Sequence, residues 1–524
     1  MELFLLIISL LFFASIFFER IGNRFGMPAL LVFLLVGMFF GQEGLDVHVD
    51  NIEQAEAIAT VAMCIILFTG GLNTKFEDIR PVIGPGASLA TIGVIVTCLI
   101  TGIVIMLVYI PFEGVTVPLS LSLLGAATLS STDSAAVFSI LRNQNFRLKH
   151  HLRETLELES GANDPMAFVL VITLIDVCTH AQTELSTLQI VQTMVVQLVV
   201  GLAIGIASGY LLIWLMKKVN LTNMSLYPQM ILSACIFIFG ATYYMKGNSY
   251  LAVYVGGLII GNYHFTRKRQ TRAFFDGLTW MAQLLLFLML GMMVQPSDFL
   301  NLEVWLPSLI IVLALLFLAR PIAVFVSLLP FLKKYNGKDM ALLSWFGLKG
   351  AVPIVFAIIC KANEVPYADT IFNVVFLCSL ISLSLKGATC GRVARQLGLA
   401  SPATELKRLY HFDLDLPEEI QSSVTEVCVS ESMVQNGNTL KDMHLPNKTL
   451  VIMVNREDSY FVPTGNSELQ EGDNLLIITD DDATLAQQMI EQQQKSENSD
   501  WHHQLIQHPT SFIKGKASEF MNHE

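Results

Sequence analysis

A chain of 524 residues that is 53% hydrophobic, with a mean hydropathy of +0.56, is built for a bilayer, which excludes a soluble globular enzyme. Its net charge of −12 sits near the C-terminus, where residues 401–524 hold 8 Lys+Arg against 21 Asp+Glu and leave residues 1–400 close to neutral. That balance excludes nucleic acid as a partner. Eight cysteines, Cys64, Cys98, Cys235 and Cys378 among them, are scattered mostly through apolar runs without a CxxC, so buried reduced thiols are expected and no metal site.

Met1–Phe18 has no basic residue ahead of its apolar run and no small-residue cleavage site, so it reads as a retained first span with its N-terminus outside. With spans of roughly 17–25 apolar residues, and shorter ones allowed inside a bundle, about thirteen are predicted. They centre on residues 3–19, 28–42, 54–72, 87–110, 118–141, 154–178, 189–216, 229–246, 249–263, 278–294, 304–330, 340–360 and 369–390. Alternate connections carry Arg20/Arg24, Lys75/Arg80, Arg142/Arg147/Lys149/Arg153, Lys217/Lys218, Arg267/Lys268/Arg269/Arg272 and Lys333/Lys334/Lys338, while the others hold only Lys246 and Lys361. This asymmetry makes the basic side cytoplasmic and puts the C-terminus there.

The fifth and twelfth spans are interrupted. One contains Leu129-Ser-Ser-Thr132-Asp133-Ser134, the other Gly347-Leu348-Lys349-Gly350-Ala351-Val352-Pro353. A charge and helix-weakening residues in mid-span, seven spans apart, predict an inverted repeat whose two broken helices meet near the membrane midplane. Asp133 is suited to a positive half-helix N-terminus, and Lys349 to a negative C-terminus or a carboxylate.

Between them lies ETLELESGANDPMAFVLVITLI (154–175), which carries Glu159, Asn163 and Asp164 into an apolar helix. Acidic groups at membrane depth mark function. Glu159 and Asn163 are four apart, as are Ser160 and Asp164, so they share neighbouring helix faces. Pro165 removes a backbone donor and frees a carbonyl one turn earlier. Arg320, followed by Pro321 in the eleventh span, keeps its charge at any practical pH, so it neutralises a carboxylate but does not shuttle protons. Its expected partners are Glu159 or the interrupted segments.

Asp164 is the residue to which proton and cation binding is assigned. A carboxylate where water is scarce holds a proton or a monovalent cation, and that competition couples the two. Thr132, Ser160 and backbone oxygens are hard ligands suited to an alkali ion. Asn163 beside Asp164 leaves one titratable carboxylate in the pair, which favours one-for-one electroneutral exchange. Three functions compete for these residues: a secondary antiporter, a gated cation channel and an intramembrane protease with two aspartates. The protease lacks its GxGD context, and the channel lacks a TVGYG-like filter.

The segments SSTDSAAVF, LESGANDPMAF, LAVYVGGLIIGN, LARP and GLKGAVPI resemble the signature stretches of NhaP-type monovalent cation/proton antiporters over about residues 1–395. The resemblance implies that Asp164 binds the ion with help from Asn163 and Thr132, that Glu159 pairs with Lys349, and that the protein is a homodimer with an elevator-like core. It differs in two places: Lys349 stands where an arginine is usual, and Ser134 where many relatives have proline. Residues 1–391 are thus expected to form the exchanger domain, an all-α polytopic unit in the inner membrane.

The apolar pattern ends after Lys386 in Arg392, Arg395, Lys407 and Arg408, read as a linker over 392–413. From 414 to 492 short β-type runs follow: VTEVCVS, KTLVIMVNR, SYFVP and DNLLIITD, with turn signals at Asn436-Gly437, Thr464-Gly465 and Gly472-Asp473 and a closing helix over Asp482–Glu491. TLKDMHLPNKTLVIMVNR and ELQEGDNLLIIT resemble the RCK-C (TrkA-C) module, an α/β domain. That implies dimerisation and a small regulatory ligand such as cyclic di-AMP; no other cofactor is expected. Residues 493–524, with His502, His503, His508 and His523, read as a disordered tail. Antiporters with such a tail resemble potassium/proton exchangers, so K+ is the first choice and Na+ the alternative.

Overall fold

The computed structural model describes residues 29–47, 51–113, 117–133, 146–179, 187–219, 226–263, 265, 268–402, 424–429, 439–442, 449–456, 459–470 and 472–479, with four isolated positions before 29. The predicted span 3–19, Ser134 and the rest of the fifth span, the Asn436-Gly437 turn, the helix over Asp482–Glu491 and the 493–524 tail lie outside the described residues. Two compact units result, Met1–Ala403 and Thr404–Glu524.

The first unit is helical. Among the described residues, eight helices are long and apolar enough to cross a membrane: α2 (Ile52–Asn73), α3 (Phe76–Tyr109), α5 (Leu152–Thr179), α6 (Thr187–Lys218), α7 (Leu226–Tyr244), α9 (Lys268–Met292), α10 (Val304–Phe331) and α13 (Ala368–Gln396). Shorter apolar helices are α1 (Ala29–Phe40), α4 (Leu119–Thr128), α8 (Ser249–Gly261) and α12 (Ala351–Ala362), with α11 (Gly337–Trp345) ahead of α12. Each span predicted from residue 28 onward overlaps at least one of these helices, although the bounds differ, as at Lys268–Met292 against 278–294.

Lipid supplies no hydrophobic drive between helices, so close backbone approach does the work. On α2 a Cβ at Gly71 would lie 2.2 Å from the Tyr254 carbonyl, and on α8 one at Gly257 would lie 2.4 Å from that of Phe68. Only hydrogen side chains let these two axes pack so tightly. Asn248 caps α8 by accepting the Leu251 N–H at 3.0 Å and donates to Pro165 O on α5 at 2.6 Å, tying the two helices.

α4 stops where its own side chains claim its carbonyls: Thr128 Oγ1 donates to Gly125 O and Ser130 Oγ to Ala127 O, each at 2.7 Å. α11 starts on an Asn336–Asp339 capping box and ends at Trp345. Residues 346–350 are non-helical, and α12 then begins at Ala351 with Pro353 in its first turn, where a missing N–H is harmless. α10 contains a π-helical turn at Leu315–Ala319, directly before Arg320.

A two-stranded antiparallel sheet, β1 (Phe146–Leu148) with β2 (Ala400–Pro402), joins the entry of α5 to the exit of α13. Neither strand is legible in the sequence. α13 and β2 thus extend packed structure into residues read as linker.

The second unit is a four-stranded antiparallel sheet in the order β3-β6-β4-β5, with β3 Val424–Cys428, β4 Thr449–Arg456, β5 Ser459–Phe461 and β6 Asn474–Thr479. All four are predicted strands. Gly472, with φ of +89°, makes the turn into β6, a conformation that glycine adopts without a steric cost. Val429, Val451, Val454, Leu469, Leu475 and Ile477 form its core.

Candidate ion site at the crossing of two helix breaks

The two non-helical segments meet. Asp133 N–H donates to Leu348 O at 2.9 Å, and a Cβ on Gly350 would lie 1.7 Å from Asp133 Oδ2. Glycine is therefore required at 350, and the Asp133 carboxylate rests on the N-terminal end of α12, where unpaired N–H groups favour a negative charge. Lys349 reaches the opposite pole. Its ammonium, 1% exposed, donates to Ser131 O at 2.7 Å and Ser130 O at 3.2 Å, beyond the end of α4. Carbonyls at a helix end lack intrahelical partners, and here a lysine supplies them.

α5 crosses beside this junction and remains helical through Pro165. Asp164, Asn163 and Ser160 are buried on it and face Ser131 and Thr132. Ser131 Oγ donates a short hydrogen bond to Asp164 Oδ1, and Asn163 Nδ2 donates one to Thr132 Oγ1. Thr132 Oγ1 and Ser160 Oγ lie 3.3 Å apart. Among the described residues, Asn163 Oδ1 has no hydrogen-bond partner and no Lys or Arg nitrogen lies within ion-pair distance of Asp164. One carboxylate, one amide oxygen and three hydroxyls are thus gathered where Arg320 and Lys349 are engaged elsewhere.

Of the two pairings expected for Glu159, with Arg320 from the residues and with Lys349 from the resemblance, the structure has the first. The partner of Glu159 is Arg320, whose Nη2 lies 2.5 Å from Oε1, rather than Lys349. The reason is local: Lys349 sits in the segment that crosses the end of α4 and is taken up by those carbonyls. The Arg320–Glu159 contact is one of charge, since no well-aligned hydrogen bond reaches either Glu159 oxygen among the described residues. Arg320 is 4% exposed, so it does not snorkel to the membrane edge.

The structure brings together Thr132, Asp133, Glu159, Ser160, Asn163, Asp164, Arg320 and Lys349. Sequence reasoning missed Ser131, the residue that touches Asp164, although it lies in the same SSTDS run. It also missed Lys386, taken for the end of the apolar pattern but 1% exposed in the structure.

A model of the transmembrane sodium/hydrogen exchanger family matches residues 7–396, and one of the TrkA-C domain matches residues 436–488. The chain belongs to the sodium/hydrogen exchanger family. It is 35% identical over 486 residues to the K+/H+ antiporter NhaP of Alkalimonas amylolytica, covering 91% of this chain and 81% of that one. It is 34% identical over 480 residues to the K+/H+ antiporter NhaP2 of Shewanella sp. ANA-3, with the same two coverages. The solved sodium proton antiporter MjNhaP1 of Methanocaldococcus jannaschii shares the fold at a TM-score of 0.65 and 21% identity, over 76% of this chain and 99% of that one. This exchanger-family chain is a multi-pass membrane antiporter with a TrkA-C module and not an enzyme.

Proposed function

We propose that the chain exchanges K+ for H+ across the bacterial inner membrane, one for one and electroneutrally, with Asp164 holding either ion in turn. The observation that carries this reading is the placement of the fixed cations: Arg320 is spent on Glu159 and Lys349 on the Ser130 and Ser131 carbonyls. Asp164 is thus left, among the described residues, without a fixed cation beside it, to be neutralised by a proton or by a mobile cation. Ser131, Thr132, Ser160 and the Asn163 amide supply oxygens around it, and Asp133 and Lys349 neutralise the helix ends that the breaks expose. Asn163, an amide, has no titratable proton, so each crossing moves one charge in each direction.

Potassium is preferred because the relatives at 34–35% identity are named K+/H+ antiporters. Thirteen spans in two inverted repeats, with the N-terminus outside and the C-terminus inside, and a homodimer working by alternating access complete the proposal. Its domains are an exchanger over 1–391, a linker over 392–413, the RCK-C module over 414–492 and a tail. The module takes a small regulatory ligand, cyclic di-AMP or another.

Purified protein in proteoliposomes, given gradients of K+, Na+, Li+ or Rb+ with the membrane potential clamped, tests this. The proposal expects K+ to drive proton movement most strongly, at a rate unaffected by the clamp. Proton movement that depends on the potential, or that responds to Na+ alone, contradicts it.

A further inference from the structure

Lys386 is a buried cation that the site does not use. It stands on α13, 1% exposed, and its ammonium donates to Gly347 O at 2.8 Å and Ser344 O at 3.4 Å. Those carbonyls belong to the end of α11 and the first residues past it, where a helix leaves acceptors unpaired and carries partial negative charge. Four residues earlier, on the same face of α13, Ser382 Oγ accepts the Lys349 N–H at 3.2 Å. Ser379, three residues earlier again, is fully buried as well. One polar stripe of α13 therefore grips the α11–α12 break at two points, the Gly347 carbonyl and the Lys349 N–H.

The grip reaches the ion site through a short chain of hydrogen bonds. Lys386 holds Gly347 O; two residues on, Lys349 donates to Ser131 O at 2.7 Å; and the Ser131 hydroxyl donates to Asp164. A half-helix end with no lysine at it leaves two buried carbonyls unsatisfied, and the 346–350 segment then moves toward other donors. Arg320 is close by: its Nη2 lies 3.4 Å from Leu343 O, and its Nε is 2.5 Å from where a Cβ on Gly347 would stand.

We propose that Lys386 is a positioning residue for cation exchange, which through Gly347 O and Ser382 fixes the seat of Lys349 against Ser131 and so the shape of the cation site at Asp164. The two breaks then have parallel construction: the end of α4 is held by Lys349, and the end of α11 by Lys386. The inference rests on the reading of Asp164 as the ion site.

The test uses full-length parent, K386M, K386R and S382A, each purified, checked by size exclusion and reconstituted, with initial rates of proton movement measured against K+ and against Na+. Methionine keeps the length and bulk of the stem and removes only the donor. The expected result is a KM for the transported cation raised about tenfold in K386M, with kcat within about threefold of the parent, as for a lost hydrogen bond from a charged donor that shapes binding. K386R restores KM to within about threefold of the parent, and S382A shifts it in the same direction by less. A K386M protein with parental KM, or a K386R protein as defective as K386M, overturns the proposal. If K386M does not fold, S382A decides: a parental KM there overturns it equally. Active parent and inactive D164N beside an unaltered K386M remove this inference alone, whereas a parent without cation-dependent proton movement removes the site reading and this inference with it.

Discussion

Arg320 Nη2 lies 2.5 Å from Glu159 Oε1, with the two side chains 4% and 0% exposed. A buried pair of this kind adds little net stability compared with an apolar pair, but removing one member leaves an uncompensated charge. The expected cost of Glu159→Ala or Arg320→Ala is about 3–5 kcal/mol. Thermal unfolding in detergent checks this, and a double E159A/R320M variant is expected to be more stable than either single one. Single variants as stable as the parent contradict the pairing.

Gly350 admits no side chain, because a Cβ there would fall 1.7 Å from Asp133 Oδ2. Gly350→Ala therefore pushes the Asp133 carboxylate off the start of α12, at a cost of about 1–3 kcal/mol for overpacking. Combining it with Asp133→Gly, which removes both the carboxylate and the Asp133 Cβ that would lie 2.6 Å away, is expected to recover thermal stability but not transport. Recovery of neither, or of both, contradicts this geometry.

Ser131 is the hydroxyl that touches Asp164. Ser131→Ala removes a donor to a charged group, worth about 1.5–3 kcal/mol, and is expected to change the cation KM by roughly tenfold or more in proteoliposomes. Ser131→Thr, which keeps the hydroxyl, is expected to stay near the parent. Equal behaviour of the two variants contradicts a role for the hydroxyl.

In the C-terminal sheet Asp473, 1% exposed, receives Arg456 Nε at 2.8 Å and Nη2 at 2.6 Å, and the Gln470 N–H at 2.8 Å. Burial pushes its carboxyl up, and the Arg456 hydrogen bonds, the Gln470 N–H and the Arg456 charge together outweigh that and hold it below the usual carboxylate range. A carboxyl with a depressed folded value stabilises the fold above its unfolded value, and the contribution is lost as pH falls through the folded one. Limited proteolysis of the full chain is expected to show this unit opening on acidification below the ordinary carboxylate range. Asp473→Asn is expected to open more readily at neutral pH and to lose part of that acid dependence.

Much of this was legible because local chemistry announced it. The four strands of the second unit follow from alternation and from turn glycines such as Gly472, and the two breaks follow from SSTDS and GLKGAVP. Long-range choices were not legible. Whether Glu159 meets Arg320 or Lys349 depends on which cation the end of α4 claims first, which no spacing encodes. The β1–β2 pairing joins Phe146 to Pro402 across about half of the chain, through three-residue strands too short to carry a pattern. Lys386 looked like a membrane edge because Arg392 follows six residues later. The spacing of Ser379, Ser382 and Lys386 on one helical face was the signal that places it inside.

Asp164→Asn, reconstituted beside the parent and assayed for cation-dependent proton movement with the potential clamped, reaches the centre of the account most directly. An asparagine keeps the shape and the Ser131 contact and removes the charge that a proton or a cation must neutralise. The account predicts a correctly inserted, stable protein with no exchange for any alkali ion. Exchange at near the parental rate would contradict it.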